Sequence, residues 1–252
     1  MGAQRRGGRR LTERWAGRDG LQRALVVAAH PDDVDFGAAG TVAVWTDSGV
    51  EVAYCIVTDG DAGGSDRSMP RAEMGNLRRG EQRAAAAHVG VGQVTFLGYP
   101  DGRVEPGQAL RGDLTRLVRT FRPQLVLAPS PERWWDRIAA SHPDHLAVGE
   151  AATCTVYPDA RNPFAHPELL DEGLEPHTVE ELWLMASPTP NLVVEVTAAF
   201  DRKAAALRCH RSQMPDPAGV VERVRASAAE AARAAGMPKG ALAEVFQRVS
   251  TR

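Results

Sequence analysis

Apolar residues fall along this chain in short unbroken runs separated by longer stretches of helical period, a spacing that predicts a layered α/β protein. The runs 24–29, 52–58, 94–97, 125–128, 182–185 and 192–196 are too short for buried helices. They are apolar on both faces, as strands of a parallel sheet must be when helices cover both sides. Between them, 38–48, 78–88 and 110–121 show helical periodicity and end before Gly49, Gly90 and Pro123, residues that commonly stop helices. Segments 142–155 and 200–211 also read as helices, and this alternation is the mark of βαβ units. At the end of the chain, 222–235 and 242–249 are rich in Ala and Arg and amphipathic. They read as C-terminal helices, either a docked pair or a homo-oligomer contact.

One connection, 131–140 with Trp134 and Trp135, exceeds ordinary loop length and suits a lid or binding wall, and Gly60-Asp61-Ala62-Gly63-Gly64 reads as a flexible loop near a site mouth. The length suits a single domain over 23–252, preceded by a basic tail, 1–22, in which Arg5, Arg6, Arg9 and Arg10 stand among glycines. A net charge of −2 gives no global field to draw nucleic acid or an anionic membrane. No apolar run approaches the roughly 20 residues of a bilayer span, and the basic start lacks the apolar stretch of a secretory signal, so a cytoplasmic protein is expected. Cys55, Cys154 and Cys209 are odd in number and widely spaced, which argues against a disulfide framework or a thiolate metal site.

Chemistry concentrates in two tetrapeptides. His30-Pro31-Asp32-Asp33 follows the first apolar run, and ligands in open α/β sheets bind beyond the carboxyl ends of strands. That turn has no Gly-x-Gly-x-x-Gly, its adjacent carboxylates would repel a pyrophosphate, and the second turn has no Gly-Lys-Ser/Thr ending, so nucleotide sites are excluded. His142-Pro143-Asp144-His145 repeats the same chemistry more than a hundred residues on. A hydrolytic metal takes about three imidazole or carboxylate ligands and keeps a position open. His30, Asp33 and His145 supply such a set, with Asp32 beside it as general base and His142 facing the same cavity unbound. His88 reads as the close of a helix, and His166, His177 and His210 lack a ligand-type partner at suitable spacing. The same donors also describe a non-haem Fe(II) oxygenase, although those sites usually sit on β-barrels. A two-metal phosphoesterase would need more carboxylates, and a binding protein with a degenerate site would not need both motifs intact.

The two motifs resemble those of the zinc-dependent de-N-acetylases of the PIG-L/LmbE type. Arg78-Arg79-Gly80-Glu81, Leu97-Gly98-Tyr99-Pro100-Asp101-Gly102 and His210-Arg211-Ser212-Gln213 are also similar to segments of that family. The resemblance implies a Rossmann-like, mostly parallel sheet with helices on both faces. It implies removal of an N-acyl group, most often N-acetyl, from an amino-sugar-containing small molecule, with thiol-conjugate amidases as relatives on the same site. Metal ligands would be His30, Asp33 and His145, holding Zn2+ or Fe2+, with Asp32 the general base. His142 would stabilise the oxyanion, Asp144 would orient and charge-support His142, and Arg78 and Asp101 would hold polar groups of the substrate. One departure stands out: where some members place a tyrosine two residues before the second motif, this chain has Ala140.

Overall fold

Residues that alternate along each central strand point to opposite faces, and the two sets build two cores. The computed structural model describes residues 13–15, 17, 20–64 and 66–252. In chain order the elements are β1 Glu13–Arg14, β2 Arg23–Ala28, α1 Asp33–Gly37, α2 Ala39–Asp47, β3 Glu51–Thr58, α3 Arg71–His88, β4 Gln93–Tyr99 and α4 Gln108–Phe121. There follow β5 Leu125–Pro129, α5 Pro143–Val156, α6 Glu168–Asp171, β6 Glu181–Met185, β7 Leu192–Glu195, α7 Phe200–Leu207, α8 Pro217–Ala234 and β8 Ala243–Ser250. One sheet runs β1-β7-β8-β6-β5-β2-β3-β4, parallel throughout except for β8. Ala24, Val26, Ala28, Tyr54 and Ile56 face one core with Val42 and Trp45 of α2 and Phe200 and Leu207 of α7. Leu25, Val27, Ala29, Ala53, Cys55 and Val57 face the other, under Leu110, Leu114 and Val118 of α4 and Val148, Ala151 and Ala152 of α5. The doubly wound, mostly parallel α/β fold is as expected.

Two readings of the ends need correction. Segment 242–249 is not a helix: it forms β8, inserted antiparallel between β6 and β7 with Leu184 opposite Gln247 and Val194 opposite Glu244. Leu, Ala, Glu, Gln and Arg favour helix locally, but pairing on both edges outweighs a preference of tenths of a kcal/mol per residue. Only α8 remains of the C-terminal helices. The tail read over 1–22 also contains structure, because Glu13–Arg14 pairs with β7 and Trp15 meets Trp183 edge-on at 6.4 Å. Its arginines 5, 6, 9 and 10 lie outside the described residues. Helix α3 begins at Arg71, seven residues before the periodicity shows it.

Topology places the site. After β2 the chain builds β3 and β4 on one side, then returns to lay β5 on the other. The carboxyl ends of β2 and β5 therefore flank the crevice of a switch point. Helix α5 approaches β5 closely enough that a Cβ on Gly149 would stand 2.5 Å from the Pro129 carbonyl oxygen. Only glycine allows that contact, which brings the N-terminus of α5 over the end of β2. No helix among the described residues is long and apolar enough to cross a membrane.

Candidate active site

The turn after β2 folds back on itself: the His30 N–H donates to Asp33 Oδ2 at 2.8 Å, and the N–H groups of Asp35 and Phe36 donate to the Asp32 carbonyl at 2.9 and 3.0 Å. Asp32 takes φ 97°, ψ −25°, a conformation L residues avoid at a cost of roughly 1–3 kcal/mol. Opposite, His142 caps α5, its Nδ1 accepting from the Asp144 N–H at 3.2 Å, with Pro143 at the first helical position. His145 lies one turn further in.

Three donor side chains converge, Asp33 turning one carboxylate oxygen to each histidine. His30 Nδ1 is 3.2 Å from His145 Nε2, His145 Nε2 is 3.0 Å from Asp33 Oδ1, and Asp33 Oδ2 is 3.5 Å from His30 Nδ1. Ligands around a tetrahedral ion with bonds of about 2.0–2.1 Å stand about 3.4 Å apart, so the separations within this triangle of side chains suit one metal's ligand set. His142 offers a ring nitrogen in the same cluster as His30 and His145. Asp101 and Asp144 gather instead at the far nitrogen of His30, with Asp101 Oδ1 3.1 Å and Asp144 Oδ2 3.0 Å from Nε2. That second group is a poorer cation site. Asp144 is fully buried and its oxygens already accept from Gly102 N at 2.7 Å and Val104 N at 3.2 Å. It instead supports His30, fixing the ring so that Nδ1 faces the other two donors. His145 is steered more weakly, with Nδ1 3.5 Å from the Ala140 carbonyl.

The electrostatics follow from this crowding. Burial opposes charge on His30, but hydrogen bonds to Asp101 and Asp33 outweigh it and raise its pKa to about 11. Burial likewise opposes ionisation of Asp33, yet the charge and hydrogen bond of His145, joined by His30, hold it well below the usual carboxylate range. These shifts favour a proton on His30 beside an ionised Asp33. Asp32 behaves differently, pushed up to about 6 by burial and by the charge of Asp33 against the pull of Arg78. Burial and the neighbouring His30 charge lower His142.

Several residues have partners other than those the resemblance implies. The Asp144 carboxylate bonds His30 and two backbone amides, not His142. Arg78 is buried, its guanidinium donating to the Gly60 carbonyl at 2.8 Å, the Pro31 carbonyl at 2.6 Å and Asp32 Oδ2 at 3.1 Å. It anchors the general-base candidate from behind. Asp101 also turns inward, to His30 and, through Oδ2, to the Ala62 N–H at 3.1 Å. The glycines after β3 form the cradle of Arg78: a Cβ on Gly60, whose φ is +63°, would lie 2.4 Å from Nη1. That loop is shaped by what it holds rather than by a need for flexibility.

Spacing alone missed three residues, Gln82, Asp35 and His210. Gln82, one turn beyond Arg78 on α3, accepts the Asp32 N–H on Oε1 at 2.8 Å and donates from Nε2 to Asp35 Oδ2 at 3.0 Å. His210, fully buried, meets the same Asp35 oxygen at 2.8 Å. The available signals were an acid within the apolar stretch around α1 and the glutamine four residues after Arg78. Ser212 and Gln213, next to His210, bind Glu81 of α3 and the Gly64 N–H. The thiol of Cys55 is buried and its pKa is pushed up by burial; all three cysteines are unpaired.

The family profile described as "PIG-L: GlcNAc-PI de-N-acetylase" matches residues 25–156, more than half of the chain. The diacetylchitobiose deacetylase of Thermococcus kodakarensis is 30% identical over 200 residues, covering 78% of this chain and 72% of that protein. A 1D-myo-inositol 2-acetamido-2-deoxy-alpha-D-glucopyranoside deacetylase of Mycobacteroides abscessus is 25% identical over 233 residues, covering 77% of this chain and 82% of that one. In three dimensions the chain is similar to the N,N'-diacetylchitobiose deacetylase of Pyrococcus horikoshii, solved with its inhibitor MPG. The TM-score is 0.83 at 31% identity, over 91% of this chain and 84% of that one.

Proposed function

The chain belongs to the PIG-L family of GlcNAc-PI de-N-acetylases, and on that premise we propose that it hydrolyses the N-acetyl group of a small amino-sugar conjugate using one divalent metal held by His30, Asp33 and His145. The observation that carries this reading is the triangle of donors at 3.0–3.5 Å with the Asp32 carboxylate beside it. Two imidazoles and one carboxylate suit Zn2+ and also accept Fe2+. When bound, the metal supplies a Lewis acid for the amide carbonyl and lowers the pKa of a water molecule toward about 7.

The chain's own groups do the rest. Asp32 accepts the proton of the water that attacks the amide carbon; its Oδ2 is held by Arg78, and Oδ1 has no hydrogen-bond partner among the described residues. A carboxylate raised to about 6 is better matched to that task near neutral pH than an ordinary one. His142 spends Nδ1 on the Asp144 N–H, so its neutral ring carries the proton on Nε2 and donates from there to the oxygen on which charge develops. The proton taken by Asp32 returns to the departing nitrogen, giving acetate and a free amine.

The open, mostly parallel sheet offers no barrel for the oxygenase alternative. The test is acetate and amine release over a panel of N-acetylglucosamine glycosides and conjugates, with thiol-conjugate amides alongside. Activity on the sugars, lost on metal stripping and regained on adding Zn2+ or Fe2+, supports the reading. Hydrolysis only of the thiol-conjugate amides would replace it.

A further inference from the structure

Asp32 is held from two sides by one face of α3. Arg78 takes the side chain, and Gln82, at i+4, takes the backbone N–H. The Gln82 amide can adopt only one orientation. Its partner at Asp32 is a donor and its partner at Asp35 is a carboxylate, so Oε1 must face the first and Nε2 the second. Asp35 has no freedom either, because Oδ2 receives both Gln82 Nε2 and His210 Nε2 and the residue is fully buried. A buried chain of His210, Asp35 and Gln82 thus ends on the one backbone amide of the strained Asp32 peptide. Residues 175 positions apart meet in it.

We propose that Gln82, Asp35 and His210 are positioning residues that hold the Asp32 backbone at its left-handed conformation and so aim its carboxylate at the reacting water. The inference rests on the hydrolytic reading above. None of the three belongs to the donor triangle, and the chain acts through the Asp32 backbone.

The polarity of the chain supplies the test. Gln82→Met keeps the length of the side chain and removes both bonds. Gln82→Glu keeps the acceptor for the Asp32 N–H but sets a carboxylate against Asp35. Adding Asp35→Asn to Gln82→Glu reverses the donors: the amide introduced by Asp35→Asn donates to the carboxylate introduced by Gln82→Glu and to Nε2 of His210, whose Nδ1, without a hydrogen-bond partner among the described residues, then carries the ring proton. Two readouts are taken on folded protein. Hydrogen exchange of the Asp32 amide needs no substrate, and kcat and KM are measured on metal-loaded enzyme. In Gln82→Met the Asp32 amide loses its protection and kcat falls up to about a hundredfold with KM and metal content kept, as a small misplacement of a reacting group can cause. Gln82→Glu loses kcat while keeping KM and metal, and the double variant recovers most of the loss. Unchanged Asp32 exchange in Gln82→Met, or kcat kept in both single variants while only thermal stability falls, would overturn the inference. If the wild type releases no acetate from any substrate, the hydrolytic reading fails, and Asp32 exchange alone still decides whether the chain positions that residue.

Discussion

Asp144→Asn separates two roles for a single carboxylate. Oδ2 of Asp144 accepts from His30 Nε2 at 3.0 Å and Gly102 N at 2.7 Å, and Oδ1 from Val104 N at 3.2 Å. An amide can put its oxygen in place of Oδ2, which turns its NH2 toward the Val104 N–H. One bond to a charged group is lost and two donors face each other in a site with no solvent access. A hydrogen bond to a charged group contributes about 1.5–3 kcal/mol. In a chain of this size that corresponds to a fall in melting temperature of roughly 3–10 °C for the metal-free protein. The His30 ring also loses the negative charge behind it, and removing such a partner typically weakens metal binding about 10–100-fold, or about 1.4–2.7 kcal/mol. Chelator competition at fixed pH gives the affinity and calorimetry gives the melting shift. Unchanged metal affinity combined with a lowered kcat would refute the reasoning and return Asp144 to a role behind His142.

Three other outcomes follow from the same geometry. Asp32→Asn keeps its metal and its KM but loses kcat by about 10²–10⁴, the usual share of a general base; near-normal turnover would show the base to be elsewhere. Gly60→Ala places a methyl 2.4 Å from Arg78 Nη1 at a positive φ. Stability, read by thermal melting, should fall by about 1–2 kcal/mol from the backbone alone, and kcat should fall with metal retained as Arg78 leaves Asp32. Binding of Zn2+ should expel protons near neutral pH, because His30, with its pKa raised to about 11 in the metal-free state, is charged there and must lose a proton to become a ligand. Affinity then weakens as pH falls, measurable by titration in buffers of different ionisation enthalpy, and a pH-independent affinity would contradict this.

The parallel strands were legible because burial on both faces writes them as continuous apolar runs, β2 and β5 most clearly. β8 was hidden: Glu244, Gln247 and Arg248 break any alternation, and what makes it a strand is the pair of neighbours it lies between. The donor triangle could be read from the two motifs because Pro31 and Pro143 fix local turns that bring residues three apart together. Asp144 meets His142 through its charge and through its backbone N–H, which His142 Nδ1 caps, while its carboxylate turns to His30, because residues two apart at a helix start face different ways. Arg78, Gln82, Asp35 and His210 depend on contacts between distant segments, so sequence could supply the residue types and not the partners.

Acetate release from an N-acetylglucosamine conjugate, measured together with bound metal for the wild type and His145→Ala, tests the account at its centre. Wild-type protein should bind one metal per chain and turn over only with it, and His145→Ala should lose both. Full acetate release by His145→Ala, or by wild-type protein stripped of metal, would contradict it.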